Sequence, residues 1–378
     1  MNNKQTYLVV TPFFPSQFSH VGNYVFDQVA EIKRQTKYKI QIVKVCSLFS
    51  TEVDYTYNGF DVYIFKIIDF PFFIFPGIFN FANKIRFKRF LIQKSINNLK
   101  IAHAHVNYPS SFLISDLKCK TISQHHGLDV IQLLNGRSYI IRKIQKSFQI
   151  HQSFKHLNKI HLNIGVSKKV VDNLMSFSQS KIKRTYVLYN GVDTKIFYPI
   201  NKKRNDVFTI GCVGNFWKIK GQDTLIKSVQ ILKKKGVRVM VRFIGIGDNL
   251  LKCQKYVIKH KLIEYIKFED EMNHNELNKF YNEIDLFVLP SYYEAFGCVY
   301  LESWATETPY IAVKDQGISE ITPEPLKDII LINPSDPEDL SEKISYIYKN
   351  RVEMRFDSKY DIQNTISDFL KDNFLQIR

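Results

Sequence analysis

From residue 207 onward the chain alternates short, nearly continuous apolar runs with longer stretches whose apolar positions recur at helical spacing. VFTIGCVGNF (207–216) is β-branched and largely apolar and reads as a strand, whereas QDTLIKSVQILKKK (222–235) sets Leu225, Ile226, Val229 and Leu232 on one helical face. VRVMVRFIGIG (237–247) predicts a strand ending in glycines, and DNLLKCQKYVIKH (248–260) a helix capped by Asp248. IKFED, NHNELNKFYNEI, DLFVLP, CVYLESWA, PYIAV and IILIN continue the same alternation. Strands apolar on both faces and separated by helices imply a parallel sheet covered on both sides. The expected domain is therefore doubly wound α/β, a design that binds ligands beyond the carboxyl ends of its strands.

The first half repeats this grammar. YLVVTPFF, KIQIVKV, DVYIFKII, IAHAHV, KTISQHH, LNIGVS and YVLYNGV are strand candidates, separated by helical stretches such as NYVFDQVAEIKR. Two such halves predict a cleft between domains, where small ligands usually sit. The boundary is expected near DTKIFYPINKKRND (193–206), where Pro199 and a charged run interrupt the pattern. One segment stands apart: IIDFPFFIFPGIFNFANKIRFKRFLIQK (67–94) places eight phenylalanines beside Lys84, Arg86, Lys88 and Arg89. A core helix after a Pro-Gly turn accounts for it, and so does a segment lying in a membrane interface.

Composition supports two domains, since 378 residues exceed one usual core and 45% of them are apolar. The five cysteines (Cys46, Cys119, Cys212, Cys253, Cys298) form no CxxC pair and read as reduced thiols of a cytosolic protein. MNNKQTYLVVTPFFP has no small-residue cleavage site after its apolar run, and no stretch of about 18 uncharged apolar residues occurs, so neither a secretory signal nor a spanning helix is expected. Charge is uneven. Residues 1–200 hold 27 Lys and Arg against 10 Asp and Glu, while the remainder hold 26 against 26. The whole excess of +17 thus lies in the first half, as befits a surface that meets an anionic membrane or nucleic acid, although a merely solvated surface has the same composition.

Candidate chemistry sits in the second half. GCVGNFWKIKGQD (211–223) is a strand end, a turn, and a lysine-glycine pair at a helix start. Backbone N–H groups at a helix N-terminus with an ammonium nearby make an anion site suited to a diphosphate, and Lys220 is the candidate ammonium. SYYEAFGCVYLESWA (291–305) places Glu294 in a loop at a strand's carboxyl end and Glu302 inside the helix that begins near Cys298. These glutamates could form an acid/base pair, hold a metal, or grip one ligand at two points. They could equally be a loop charge and a solvated helix face.

The order of motifs resembles glycosyltransferase family 4, retaining nucleotide-sugar transferases of GT-B fold. ELNKFYNEIDLFVLPSYYEAFGCVYLESWATETPYIAV is similar to the family's signature region through Glu294, Phe296, Gly297, Glu302, Ala305 and Pro309. VGNFWKIKGQDTLIKSV, FIGIGD, YNGVDTKIFYP (189–199) and, more loosely, QHHGLDV (124–130) and FPSQFSHVGNYVFDQVAEI (14–32) extend the resemblance in family order. It implies an acceptor-binding domain over 1–198, a nucleotide-sugar-binding domain over 199–360, and a C-terminal helix (361–378) packing back towards the first domain. It also implies that Glu302 accepts hydrogen bonds from the ribose hydroxyls, that Glu294 sits by the donor sugar, and that Lys220 neutralises the leaving diphosphate. Backbone groups of Phe296, Gly297, Cys298 and Val299 are expected to face sugar and diphosphate, with Gly214, Asn215 and Gly245 lining the donor site. Gly22 matches a loop where bare backbone can approach phosphate. His126 and Asp129 are expected near the reacting carbon and the acceptor, though a packed strand-end histidine remains an alternative for His126.

Three positions depart from the family pattern. The family's usual arginine is Asn215, leaving a phosphate charge to Lys220 with Lys218 or Lys202; its Gly-Gly loop is Val21-Gly22; its Gly-Thr-Pro is Glu307-Thr308-Pro309. No Asp-x-Asp and no His/Cys cluster with metal spacing occurs in the sequence, so no metal and no cofactor are expected beyond the nucleotide sugar itself. The expected acceptor is a saccharide, lipid-linked, at the inner face of the cell membrane, where the enzyme would be peripheral and assemble bacterial polysaccharide. A nucleotide-sugar epimerase or a phosphorylase of the same fold, and more remotely a basic nucleic-acid binder, are the competing readings.

Overall fold

The computed structural model describes residues 4–68, 79–127, 156–177, 182, 184–200, 206–372 and 375. The chain divides into two compact units, 1–189 with 365–378, and 190–364.

The first unit contains β1 (Thr6–Thr11), α1 (Asn23–Gln35), β2 (Lys39–Ser47), β3 (Tyr55–Tyr57), β4 (Phe60–Ile67), α2 (Asn80–Gln93), β5 (Leu99–His105), the one-turn α3 (Phe112–Ile114), β6 (Lys120–His125), β7 (Leu162–Gly165), α4 (Lys168–Phe177) and β8 (Thr185–Val187). These strands form one sheet in the order β3-β4-β2-β1-β5-β6-β7-β8. All neighbours pair in parallel except β3 and β4, which are antiparallel. Their turn is Asn58-Gly59, with positive φ at both residues. The Tyr-Asn-Gly-Phe signal for that hairpin stands in the sequence and adds an edge the expected all-parallel sheet lacks. On one face of β5, Ala102 and Ala104 join a core with Leu8, Val10, Phe65 and Phe87. The alternation of a strand therefore puts His103 and His105 on the other face.

The second unit contains β9 (Phe208–Val213), α5 (Gln222–Lys234), β10 (Val239–Ile244), α6 (Leu250–Lys259), β11 (Ile266–Glu269), α7 (His274–Glu283), β12 (Leu286–Val288), α8 (Cys298–Ala305), β13 (Tyr310–Val313), α9 (Lys327–Ile330), β14 (Leu331–Ile332) and α10 (Pro337–Asn350). The sheet order is β11-β10-β9-β12-β13-β14, all parallel. Asp248 does not cap α6 as expected: the helix starts one residue later, with Asn249 at its N-cap and no side-chain cap, and the Leu250 amide that an Asp248 cap would take donates to the Gly247 carbonyl at 3.0 Å.

Residues 190–200 are bound to the second unit. The Asn190 side chain meets Cys298 at 3.3 Å, Val192 bridges Asp361, and the Tyr198 amide donates to Asn278 at 3.1 Å. A last helix, α11 (Ile362–Lys371), carries the chain back into the first unit, where Phe369 packs on the rings of His103 and Tyr186 and Asp372 pairs with Arg184.

Candidate active site

In the second sheet the strand order reverses between β9 and β12, so the loops after these strands diverge and leave a crevice at their carboxyl ends. Lys220 ends a short 3₁₀ turn (Lys218–Lys220) in the first of these loops, and Glu294 lies in the second. Gly221 follows Lys220 at φ 70°, and a Cβ on it would lie 2.1 Å from the Pro290 carbonyl oxygen. Only glycine allows the two loops to touch there. They are tied again where the Tyr292 amide donates to the Ile219 carbonyl at 3.1 Å.

The result is an ion pair: Lys220 Nζ donates to Glu294 Oε2 at 2.6 Å, with the side chains 23% and 13% exposed. Glu294 is braced from a third loop. Its amide donates to Gln316 Oε1 at 2.9 Å, and its carbonyl accepts from the Gly317 amide at 3.3 Å. Gln222, the first residue of α5, is buried and donates to the carbonyls of Gly214 and Asn215 at 3.3 and 3.0 Å, fixing the turn after β9. Gly214 and Gly245 pack backbone to backbone: the Gly214 amide donates to the Ile244 carbonyl at 3.0 Å, and a Cβ on Gly245 would meet the Gly214 oxygen at 2.5 Å. Asn215 and Lys218 are exposed.

Glu302 belongs to α8, whose N-cap is Gly297 at φ 82°. Aromatic packing anchors this helix. Tyr300 contacts Phe287 and Tyr310, Trp304 contacts Tyr310, Phe356 and Tyr360, and the indole donates to the Arg355 carbonyl at 2.8 Å. Cys298, at the start of α8, accepts from Asn190, and Val299 follows it within the first turn. The Glu302 carboxyl accepts from the hydroxyl of buried Tyr281 at 2.9 Å. Burial pushes its pKa up to about 7, and the Tyr281 bond opposes that only in part. A solvated helix face is thereby excluded. Glu302 is a half-buried acceptor whose charged form is short of hydrogen-bond donors.

In the first unit, the corresponding reversal lies between β1 and β5. Gly22, at φ 95°, caps α1, and a Cβ there would sit 2.6 Å from the Phe13 carbonyl group. His126 follows β6, half-buried. It packs against Tyr24 at 4.8 Å between ring centroids and stacks on His105 at 5.4 Å, with His105 Nδ1 and His126 Nε2 3.1 Å apart. His105 in turn stacks on His103 at 4.5 Å, and His103 Nδ1 meets the Tyr7 hydroxyl at 2.7 Å. Burial holds His103 at about 3 and His105 well below the ordinary imidazole range, so both are neutral. Asp129 and Lys202 lie outside the described residues.

The expected donor residues thus group as Lys220 with Glu294 and Gly297, and separately as Glu302 with Tyr281. Sequence reasoning did not single out Gln222, Gln316, Tyr281 or His105. Gln222 opens a helix directly after the Lys-Gly pair and Tyr281 stands in a periodic aromatic run, whereas nothing local marks Gln316 as the brace of a residue 22 positions away. All five cysteines are free. Among the described residues no cluster of three His, Cys, Asp or Glu that could hold a metal occurs, and no helix is long and apolar enough to cross a membrane.

Comparison with known proteins adds an independent line. Residues 193–364 match the family described as "Glycosyl transferases group 1", and residues 21–196 that described as "Glycosyltransferase Family 4". The uncharacterized glycosyltransferase MJ1178 of Methanocaldococcus jannaschii is 27% identical over 73% of this chain and 72% of its own. The capsular polysaccharide biosynthesis glycosyltransferase CapM of Staphylococcus aureus is 25% identical over 56% of this chain and 62% of its own. Anabaena HepE, solved in complex with UDP and glucose, shares the fold at a TM-score of 0.65 and 13% identity, over 96% of this chain and 95% of its own.

Proposed function

The chain belongs to glycosyltransferase family 4 and has the GT-B α/β fold, and from that premise we propose that it moves a sugar, with retention, from a nucleoside-diphosphate sugar to a lipid-linked saccharide in bacterial surface-polysaccharide assembly. The observation that carries this reading is the Lys220–Glu294 pair at the carboxyl ends of β9 and β12, with the half-buried carboxyl of Glu302 on the adjoining helix. An acid/base pair fits less well, because Glu294 is already engaged by an ammonium while Glu302 is engaged by a phenol. On this reading Glu302 accepts from the ribose hydroxyls, Glu294 from the sugar hydroxyls, and Lys220 moves its ammonium onto the diphosphate. Gly214, Gly245 and the start of α8 from Phe296 to Val299 complete the donor site. Gly22 meets phosphate, and His126 lies by the reacting carbon.

The bond between the anomeric carbon and the diphosphate oxygen breaks as the acceptor oxygen bonds to the same face, and the acceptor proton passes to the departing diphosphate. The transition state is oxocarbenium-like. The negative charge developing on the departing diphosphate is met by Lys220 and the α8 N-terminus rather than by a metal ion, a stabilisation worth several kcal/mol. Product NMR in EDTA tests both claims, with an unchanged anomeric configuration and undiminished rate expected; inversion, or loss of rate restored by a divalent cation, would contradict them. The epimerase, phosphorylase and nucleic-acid readings draw no support from the relatives, which are described as glycosyltransferases.

The lipid-linked acceptor rests on α2. Phe87 and Leu91 face the core, whereas Phe81, Ile85 and Ile92 are 80, 37 and 76% exposed. At 100° per residue the exposed three share one stripe with Lys88, turned about 110° from the buried pair. A helix with an apolar outer stripe and flanking Lys88 and Arg89 suits the interface of an anionic membrane, and the first half's charge excess suits its headgroups. The remainder of the aromatic segment, 69–78, lies outside the described residues. In flotation the protein is expected to rise with anionic vesicles and not with neutral ones, and Phe81→Ser/Ile92→Ser to reduce that recovery; equal recovery with both vesicle types would remove the membrane from the account.

A further inference from the structure

We propose that His105 is a positioning residue that fixes His126 as the tautomer carrying its proton on Nδ1, with His126 Nε2 accepting from His105. The inference rests on the reading of His126 as a residue of the reacting region, and its first step needs only the geometry of the histidine column. A neutral imidazole has one N–H and one lone pair, and His105 is neutral in its dry site. Its Nε2 is buried with no hydrogen-bond partner among the described residues, while its Nδ1 stands 3.1 Å from His126 Nε2. A proton on His105 Nε2 would be an orphaned buried donor, which is rarer in proteins than an under-satisfied acceptor. The proton therefore resides on Nδ1 and is donated to His126 Nε2. That nitrogen, now an acceptor, holds no proton, and the proton of neutral His126 is on Nδ1.

The support continues inward. His103 stacks on His105 and is held by Tyr7 from β1, and Gln124 is locked to Gln28 of α1 by a reciprocal amide pair at 2.8 and 3.0 Å. His105 thus has packed neighbours on its inner side, and Tyr24 packs on the ring of His126. Fixing the tautomer matters because free imidazole favours Nε2–H, which would exchange the N–H and the lone pair of His126 between its two nitrogens and so change what the ring presents at Nδ1.

The test is long-range proton–nitrogen NMR on protein labelled at histidine, with the His126 signals assigned by their loss in His126→Gln. The expected spectrum shows His126 protonated at Nδ1 in the unaltered chain. In His105→Phe, which keeps a stacking ring without an N–H, it should revert to Nε2–H, and in His105→Asn, whose amide can still donate, it should hold Nδ1–H. Turnover should follow the same order: kcat down roughly 10-fold in His105→Phe at unchanged donor KM, and largely kept in His105→Asn. Protonation of His126 at Nε2 in the unaltered chain would overturn the inference. If instead the tautomer is as stated but His126→Gln turns over normally, the functional reading of His126 fails while the positioning by His105 stands.

Discussion

Lys220→Ala is expected to lower kcat by roughly 100-fold or more, the usual cost of deleting one charge-stabilising contact at a reacting centre. The geometry sharpens this expectation. Without ligand, the ammonium rests on Glu294 at 2.6 Å; when the diphosphate departs, its growing charge is a stronger partner than one carboxylate, so the contact strengthens along the reaction. An interaction made more strongly in the transition state shows in kcat rather than in binding alone. The substitution also strands Glu294, 13% exposed, without its counter-charge, and a loss of folding stability could imitate a loss of catalysis. Lys220→Ala/Glu294→Gln removes both charges and separates the two effects: the melting temperature should recover while turnover stays low. A well-folded Lys220→Ala variant with near-normal kcat would take the diphosphate away from Lys220.

Glu302→Ala is expected to weaken nucleoside-diphosphate affinity roughly 100-fold, since it deletes an ionised acceptor whose hydrogen bonds are each worth about 1.5–3 kcal/mol. Glu294→Gln should act chiefly on kcat instead, and equal effects of the two on KM alone would mean that the roles are divided wrongly. The ionisation of Glu302 supplies a second readout. Its folded pKa of about 7 lies above the ordinary 4.5, so its contribution to stability is fully present below about pH 4.5 and is lost as pH rises towards 7. Glu302→Gln should consequently melt higher than the unaltered protein at about pH 8, by a few degrees, even as it binds nucleotide less well. Ribose hydroxyls favour the carboxylate, so affinity should rise with pH through 7, and calorimetry at neutral pH should detect proton release that Glu302→Gln abolishes. Proton uptake on binding would contradict the assignment.

Both sheets were legible because their strands are continuous apolar runs between amphipathic helices, and the site loops because Lys220, Gly221 and Glu294 stand at strand ends. Other features depend on contacts distant in sequence. Gln316 reaches Glu294 only after β13 folds beside β12, and Tyr281 reaches Glu302 from a different helix. The His103–His105 spacing marks one face of a strand but does not reveal that His126, 21 positions on, closes the column. In the aromatic segment, the core-helix reading describes the inward face of α2, where Phe87 is buried, while Phe81 on another face is exposed and is the part the sequence pattern left open.

The central claim, that the second unit grips a nucleoside diphosphate through Lys220 and Glu302, is tested most directly by thermal shift with UDP, GDP and ADP on the full chain, since a ligand of the folded state raises its stability. One of these nucleotides should raise the melting temperature of the unaltered protein clearly, and should do so far less in Glu302→Ala and Lys220→Ala. The contrary result would be an equal shift in all three proteins, or no shift with any of the nucleotides.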